Sequence, residues 1–180
     1  INEQPAAITA TVSPRVENGL PELRIPELTD EKLTGTSSTP NYKTELVYKP
    51  LEDNGVSNLY ITTVGRGVDD MIDYVYDTFS KMVTSDEENP GTISEVKELD
   101  TASGTARYFS YAYSYQNDTE NGGTETKYSQ CLVCYIPANV KNSCVLVSVN
   151  VYPDSAEGFL SEDVLVAEAQ KGIAVVSIDK

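Results

Sequence analysis

Asp69, Asp70, Asp73 and Asp77 stand three and four residues apart. On a helix that spacing stacks side chains along one ridge, and a ridge of carboxylates is the donor set a hard cation such as Ca²⁺ takes. Two triples share the ridge, Asp69 with Asp73 and Asp77, and Asp70 with Asp73 and Asp77. No D-x-D-x-D-G loop accompanies them, and acidic residues early in a helix also complement its positive N-terminus. A solvated helix face therefore competes with a Ca²⁺ module or a carboxylate enzyme. Asp86, Glu87 and Glu88 form a second acidic group without a ligand pattern. With 28 Asp and Glu in the chain, glycosidase-type carboxylate pairs can be drawn in many ways, so none is singled out.

Phe109, Tyr111, Tyr113 and Tyr115 alternate along one stretch, which places them on one face of a strand. Tyrosine joins apolar area to a polar tip, so the row is a candidate platform for a sugar, a peptide or a partner strand. Packing beneath a helix or beneath the N-terminal arm is the competing role. The absence of tryptophan weakens the carbohydrate version.

Cys131 and Cys134 have the C-x-x-C spacing of redox and zinc sites, but the run around them reads as a strand. Residues three apart on a strand face opposite sides, so the two sulfurs diverge. Cys144 opens the next strand and would face either Cys131 or Cys134, depending on register. Buried free thiols are the expectation, ahead of one cross-strand disulfide and of zinc. Gly65-Arg66-Gly67 has the place of an anion-binding turn, yet lacks the Walker Lys-Ser/Thr and the third Rossmann glycine. It reads as a strand-to-helix turn. No cofactor is expected.

Composition narrows the function further. The 180-residue chain has no histidine, which removes Ser-His-Asp, Cys-His and His-zinc chemistry. Thirteen Lys and Arg against those 28 acids give a net charge of −15, a surface that repels nucleic-acid phosphates and anionic membranes alike. No apolar run approaches the ~20 residues needed to span a bilayer. The length and an apolar fraction of 39% fit one soluble core.

The elements that must position these residues begin near residue 42. Alternation marks strands over residues 42–49 and 58–64, joined through Asp53-Asn54-Gly55. Residues 68–83 repeat apolar side chains at the helical period, with the aspartates on the other side. A weaker strand is expected over 92–99, and longer ones over 105–116, 127–136 and 144–152, with a polar hairpin tip at 117–126. Residues 153–178 read as mostly helical, with Ser155 or Ser161 as cap and Phe159, Leu160, Val164, Leu165, Ala169, Ile173 and Val176 as the apolar stripe. The strands 127–136 and 144–152 are apolar on both faces, so both faces of the sheet must be covered.

These elements predict an α+β fold, a three-layer α/β/α sandwich around a mainly antiparallel sheet with a C-terminal helix. Their order resembles the Mog1/PsbP-like fold. The matching pieces are the strand over 59–64, the helix over 68–83, Gly104 ahead of the strand over 107–115, and the segment 157–178, within a resemblance that covers residues 42–178. It implies scaffold and binding roles, such as stabilising a photosynthetic complex or binding a small GTPase. It carries no site residue across, and the acidic Pro-rich arm departs from both groups.

That arm, residues 1–41, is punctuated by Pro5, Pro14, Pro21, Pro26 and Pro40 and reads as a spacer from an anchor, with residues 7–12 as a candidate edge strand. No charged, apolar and small-residue signal precedes the domain, so the chain is either cut from a longer precursor or processed. The composition of the arm favours an exported protein whose signal or lipidated segment is removed over a solvated cytoplasmic tail. The division is thus an arm over 1–41 and one domain over 42–180. The reading is an extracellular or cell-surface binding domain without catalytic activity, whose partner is a protein or a component of the cell envelope. Its alternatives are the carboxylate module above and a structural module of an envelope assembly.

Overall fold

The computed structural model describes residues 11–12, 23–24, 45–48, 50, 53–101, 104–137, 142–174 and 177–178. In chain order the elements are β1 (Thr11–Val12), β2 (Leu23–Arg24), β3 (Glu45–Tyr48), β4 (Asn58–Val64), α1 (Val68–Val83), β5 (Thr92–Ile93), β6 (Lys97–Thr101), β7 (Gly104–Asp118), β8 (Thr124–Pro137), β9 (Cys144–Val151), α2 (Glu162–Ala174) and β10 (Ser177–Ile178). The fold is α+β. Its main sheet runs β3-β4-β9-β8-β7-β5, with β6 also on β7, and every pairing is antiparallel. Helix α1 carries the chain from β4 across the sheet to β5 at the far edge.

Short turns set the strand pairs. Gly55, at φ +90°, closes the connection into β4, and Asn54 Oδ1 accepts from the Val56 N–H at 3.1 Å. The other end of the Asn54 amide donates to Glu168, a buried side chain of α2 that also pairs with Lys171 at 3.2 Å. The turn into β4 is thereby tied to α2.

Two apolar clusters lie on opposite faces of the sheet, because alternate residues of each strand divide between them. One joins Leu59, Ile61, Leu132, Cys134, Val145, Val147 and Val149 to Leu165 and Ala169 of α2. The other joins Phe109, Cys131, Val133, Tyr135 and Cys144 to Ile72 of α1. Helix α1 also lays Tyr76 edge-on to Phe109, with centroids 5.1 Å apart, and Phe79 flat against Tyr111 at 4.9 Å.

Several expectations change. The polar tip over 117–126 narrows to 119–123, because β7 runs to Asp118 and β8 starts at Thr124. The strand over 92–99 is split into β5 and β6, since Ser94 leaves the ladder to exchange hydrogen bonds with Ser110: its N–H donates to the Ser110 carbonyl and its Oγ accepts from the Ser110 N–H. The helical reading of 153–178 holds only from Glu162 to Ala174, with Ser161 Oγ accepting from the Val164 N–H at 3.4 Å. Before α2 lies one 3₁₀ turn, Ala156–Gly158, and after it the chain re-enters strand as β10. Phe159 and Leu160 are apolar for another reason than a helical stripe. Phe159 stands edge-on to Tyr128, and Leu160 packs on Gly55, while the Gln130 side-chain amide donates to the Leu160 carbonyl and accepts from its N–H, both at 2.8 Å.

Of the Pro-rich arm, β1 and β2 pair with each other, and β2 also pairs with β10, in a small sheet of their own. Thr11 and Val12 thus sit in a different sheet from the one the edge-strand expectation implied. The rest of residues 1–41 lies outside the described residues.

Candidate functional site

The 16 residues of α1 span about 24 Å, whereas the 15 residues of β7 extend about 50 Å. One helix therefore covers only part of the face it packs on. Phe109 is fully buried beneath it, Tyr111 and Tyr113 are half-buried, and Tyr115 is 46% exposed. The ring centroids step outward at 6.3, 6.0 and 5.8 Å from Phe109 to Tyr115, a ladder that begins in the core and ends in solvent. The four-residue aromatic row accordingly divides. Phe109 is a core residue, Tyr111 and Tyr113 are partly covered, and Tyr115 is surface.

Register extends this uncovered area across the sheet. Tyr113 lies opposite Ser129 of β8, and Tyr115 opposite Lys127, which is ion-paired to Glu125 at 3.2 Å. Tyr152, one residue past β9, is 56% exposed, with its N–H donated to Ser57 Oγ at 2.9 Å. Burial raises the Tyr152 hydroxyl pKa, and Cys131, Tyr113 and Tyr115 raise it further, which places these groups within electrostatic reach of one another. The result is a surface with tyrosines on β7 and after β9 and a small serine on the strand between them.

On the same face a polar chain crosses β8, β9 and β4. The Cys131 sulfur lies 3.2 Å from Ser148 Oγ, and the Tyr111 hydroxyl is within electrostatic reach of that sulfur. Ser148 donates to Asn150 Oδ1 at 3.3 Å, and Asn150 Nδ2 donates to Asn58 Oδ1 at 2.9 Å. Burial pushes the Tyr111 hydroxyl pKa well above the ordinary tyrosine value, with Cys131 reinforcing the shift. Desolvation raises Cys131 to about 11, against the pull of Ser148 and Tyr111, and both Cys134 and Cys144 to about 12. All three cysteines are free and buried, protonated at neutral pH and poor nucleophiles. Cys131 and Cys134 do face opposite sides, and Cys144 shares the Cys131 face but lies opposite Pro137, six positions along β9 from the partner of Cys131.

The aspartates have other neighbours. Arg107, reaching up from β7, pairs with Asp69 at 3.1 Å and approaches Asp73 at 4.0 Å, Asp77 pairs with Lys81 at 2.9 Å, and Asp70 is exposed. Among the described residues no three Asp, Glu or Cys side chains are grouped as a metal ion requires. Arg66 is exposed in the turn before α1, where the Gly67 carbonyl accepts from the Met71 N–H at 3.1 Å.

Tyr152, Ser129, Ser148, Asn150 and Asn58 are site residues that the aromatic row alone does not reveal. The signal for Ser148, Asn150 and Tyr152 is in β9, where the face carrying Cys144 and Leu146 turns polar at Ser148 and Asn150 before Tyr152. No protein-family model matches the chain, and no curated protein matches it. Among the described residues no helix is long and apolar enough to cross a membrane.

Proposed function

We propose that the chain is a binding or interaction domain without catalytic activity, and that its ligand face is the part of the sheet that α1 leaves uncovered. The observation that carries this reading is the outward ladder Tyr111-Tyr113-Tyr115, facing Tyr152 across Ser129. Exposed tyrosines fixed on rigid strands supply contact area at low conformational cost, as recognition surfaces do. The domain is read as exported, held at the cell surface by its Pro-rich arm, with a protein or an envelope component as partner. Its fold is read as a three-layer α/β/α sandwich of Mog1/PsbP-like type, a scaffold suited to binding.

A thermal-shift screen against peptides, glycans, peptidoglycan fragments and Ca²⁺ tests the assignment, since a ligand at 100 times its Kd stabilises by ~2.7 kcal/mol. The expected hit shifts the wild type and not a Tyr115→Ser/Tyr152→Ser double variant. A hit unaffected by that variant places binding elsewhere, and a Ca²⁺ shift abolished by Asp73→Asn restores the carboxylate module.

A further inference from the structure

Strand β7 is longer than its neighbours. On the side away from β8 it pairs with β6 over residues 104–108 and with β5 at Tyr111 and Ala112, and among the described residues nothing pairs with it beyond Ala112. The backbone groups along that edge have a defined direction. The Ser110 N–H and carbonyl both face the edge, where Ser94 takes them up, and strand alternation turns those of Ser114, Gln116 and Asp118 the same way. Here, among the described residues, they meet no strand. Residues 114–118 thus present an open row of donors and acceptors.

Proteins blunt such edges with charge, proline or brevity. This sheet does so elsewhere. Pro50 follows β3, β6 carries Lys97, Glu98 and Asp100, and β5 is two residues long. The stretch Ser114-Tyr115-Gln116-Asn117 has no lysine, proline or glycine. Its charge environment is one-sided. Asp86, Glu87 and Glu88 lie exposed in the loop that enters β5 at one end, Asp118 and Glu120 stand at the other, and Lys127 across the hairpin is already paired with Glu125. A second copy of this chain, with the same acidic edge and a net charge of −15, is disfavoured as the occupant.

We propose that the free edge of β7 over residues 114–118 docks an extended, lysine- or arginine-rich segment of a partner protein, added to the sheet as a further strand. The inference rests on the reading of this region as the ligand face and specifies its mode: main-chain hydrogen bonds supply affinity, and side chains beside Tyr113 and Tyr115 supply selectivity.

The test uses a capped seven-residue peptide alternating lysine and valine, its glutamate-valine counterpart, and amide chemical shifts of the whole protein. The basic peptide is expected to move the Ser114, Gln116 and Asp118 resonances, and the acidic one to leave them unchanged. Gln116→Pro removes one outward N–H that bonds no strand, a change edge strands tolerate, and should weaken binding about tenfold. Gln116→Ala loses the same side-chain bond to Thr126 Oγ1 but keeps the N–H, and should bind like the wild type. Equal affinity for Gln116→Pro, shifts confined to α1, or no binding to the wild type overturns strand addition. Binding lost in Tyr115→Ser/Tyr152→Ser and kept in Gln116→Pro preserves the tyrosine face and removes the edge. The reverse pattern preserves the edge and removes the tyrosine face.

Discussion

The three thiols show how much a single residue's setting follows from strand periodicity. The divergence of Cys131 and Cys134 was legible because two positions three apart on a strand cannot share a face. The face of Cys144 was not, since it depends on the β8–β9 register, which no local spacing encodes. Burial holds all three neutral, at about 11 for Cys131 and about 12 for Cys134 and Cys144, against an ordinary thiol value of 9.0. The unfolded chain therefore ionises first. Stability from this source is complete below the ordinary value and declines as the pH climbs from there through the folded values. A thiol reagent at pH 8 should label none of the three cysteines in the native protein and all of them in denaturant. Labelling of the native state would contradict their burial. Gly91 makes a second prediction at this scale. A Cβ there would lie 2.6 Å from both the Ala112 carbonyl oxygen and Val83 Cγ1 and 2.7 Å from Tyr113 Cβ, atoms fixed in β7 and the end of α1. Gly91→Ala should cost about 1–3 kcal/mol in urea denaturation. The aspartate ridge was legible as a ridge, but its partner Arg107 comes from a strand 38 residues from Asp69, which only the folded chain reveals.

At the scale of elements, β4 and α1 were legible to the residue, because β-branched alternation and a 3.6-residue apolar period are strong signals over seven and sixteen residues. The C-terminal region was read too generously. Phe159 and Leu160 extend the apolar period by coincidence of spacing, while their packing partners, Tyr128 and Gly55, belong to distant strands and turns. Gln130 holds that irregular segment to β8, so Gln130→Leu leaves the Leu160 N–H and carbonyl without their side-chain partners. A loss of about 1–3 kcal/mol is expected in chemical denaturation. Phe109→Ala, which empties the centre of the α1 interface, should cost more, about 3–5 kcal/mol. A smaller loss for Phe109→Ala than for Gln130→Leu would mean that α1 does not pack on β7 as described.

For the whole molecule, a net charge of −15 on 180 residues makes self-repulsion a term in stability. Raising NaCl from about 10 mM to about 150 mM shortens the screening length from ~30 to ~8 Å, and the thermal midpoint should rise. A midpoint that falls would mean attractive ion pairs, such as Arg107 with Asp69, outweigh the repulsion. The site was half legible at this scale. The tyrosine row stands in the sequence, but its division into buried Phe109 and exposed Tyr115 depends on where a helix too short for its strand comes to rest, and Tyr152 joins it only through the order β9-β8-β7. The absence of tryptophan offers the most direct test of the proposed ligand face. Tyr115→Trp places a single indole on that face, and Tyr74→Trp places one on the outer side of α1, where Tyr74 is 64% exposed. Titrated with a ligand that shifts the thermal midpoint, the indole at 115 should change its emission and the one at 74 should not. A response at 74 alone, or at neither position, would contradict the account.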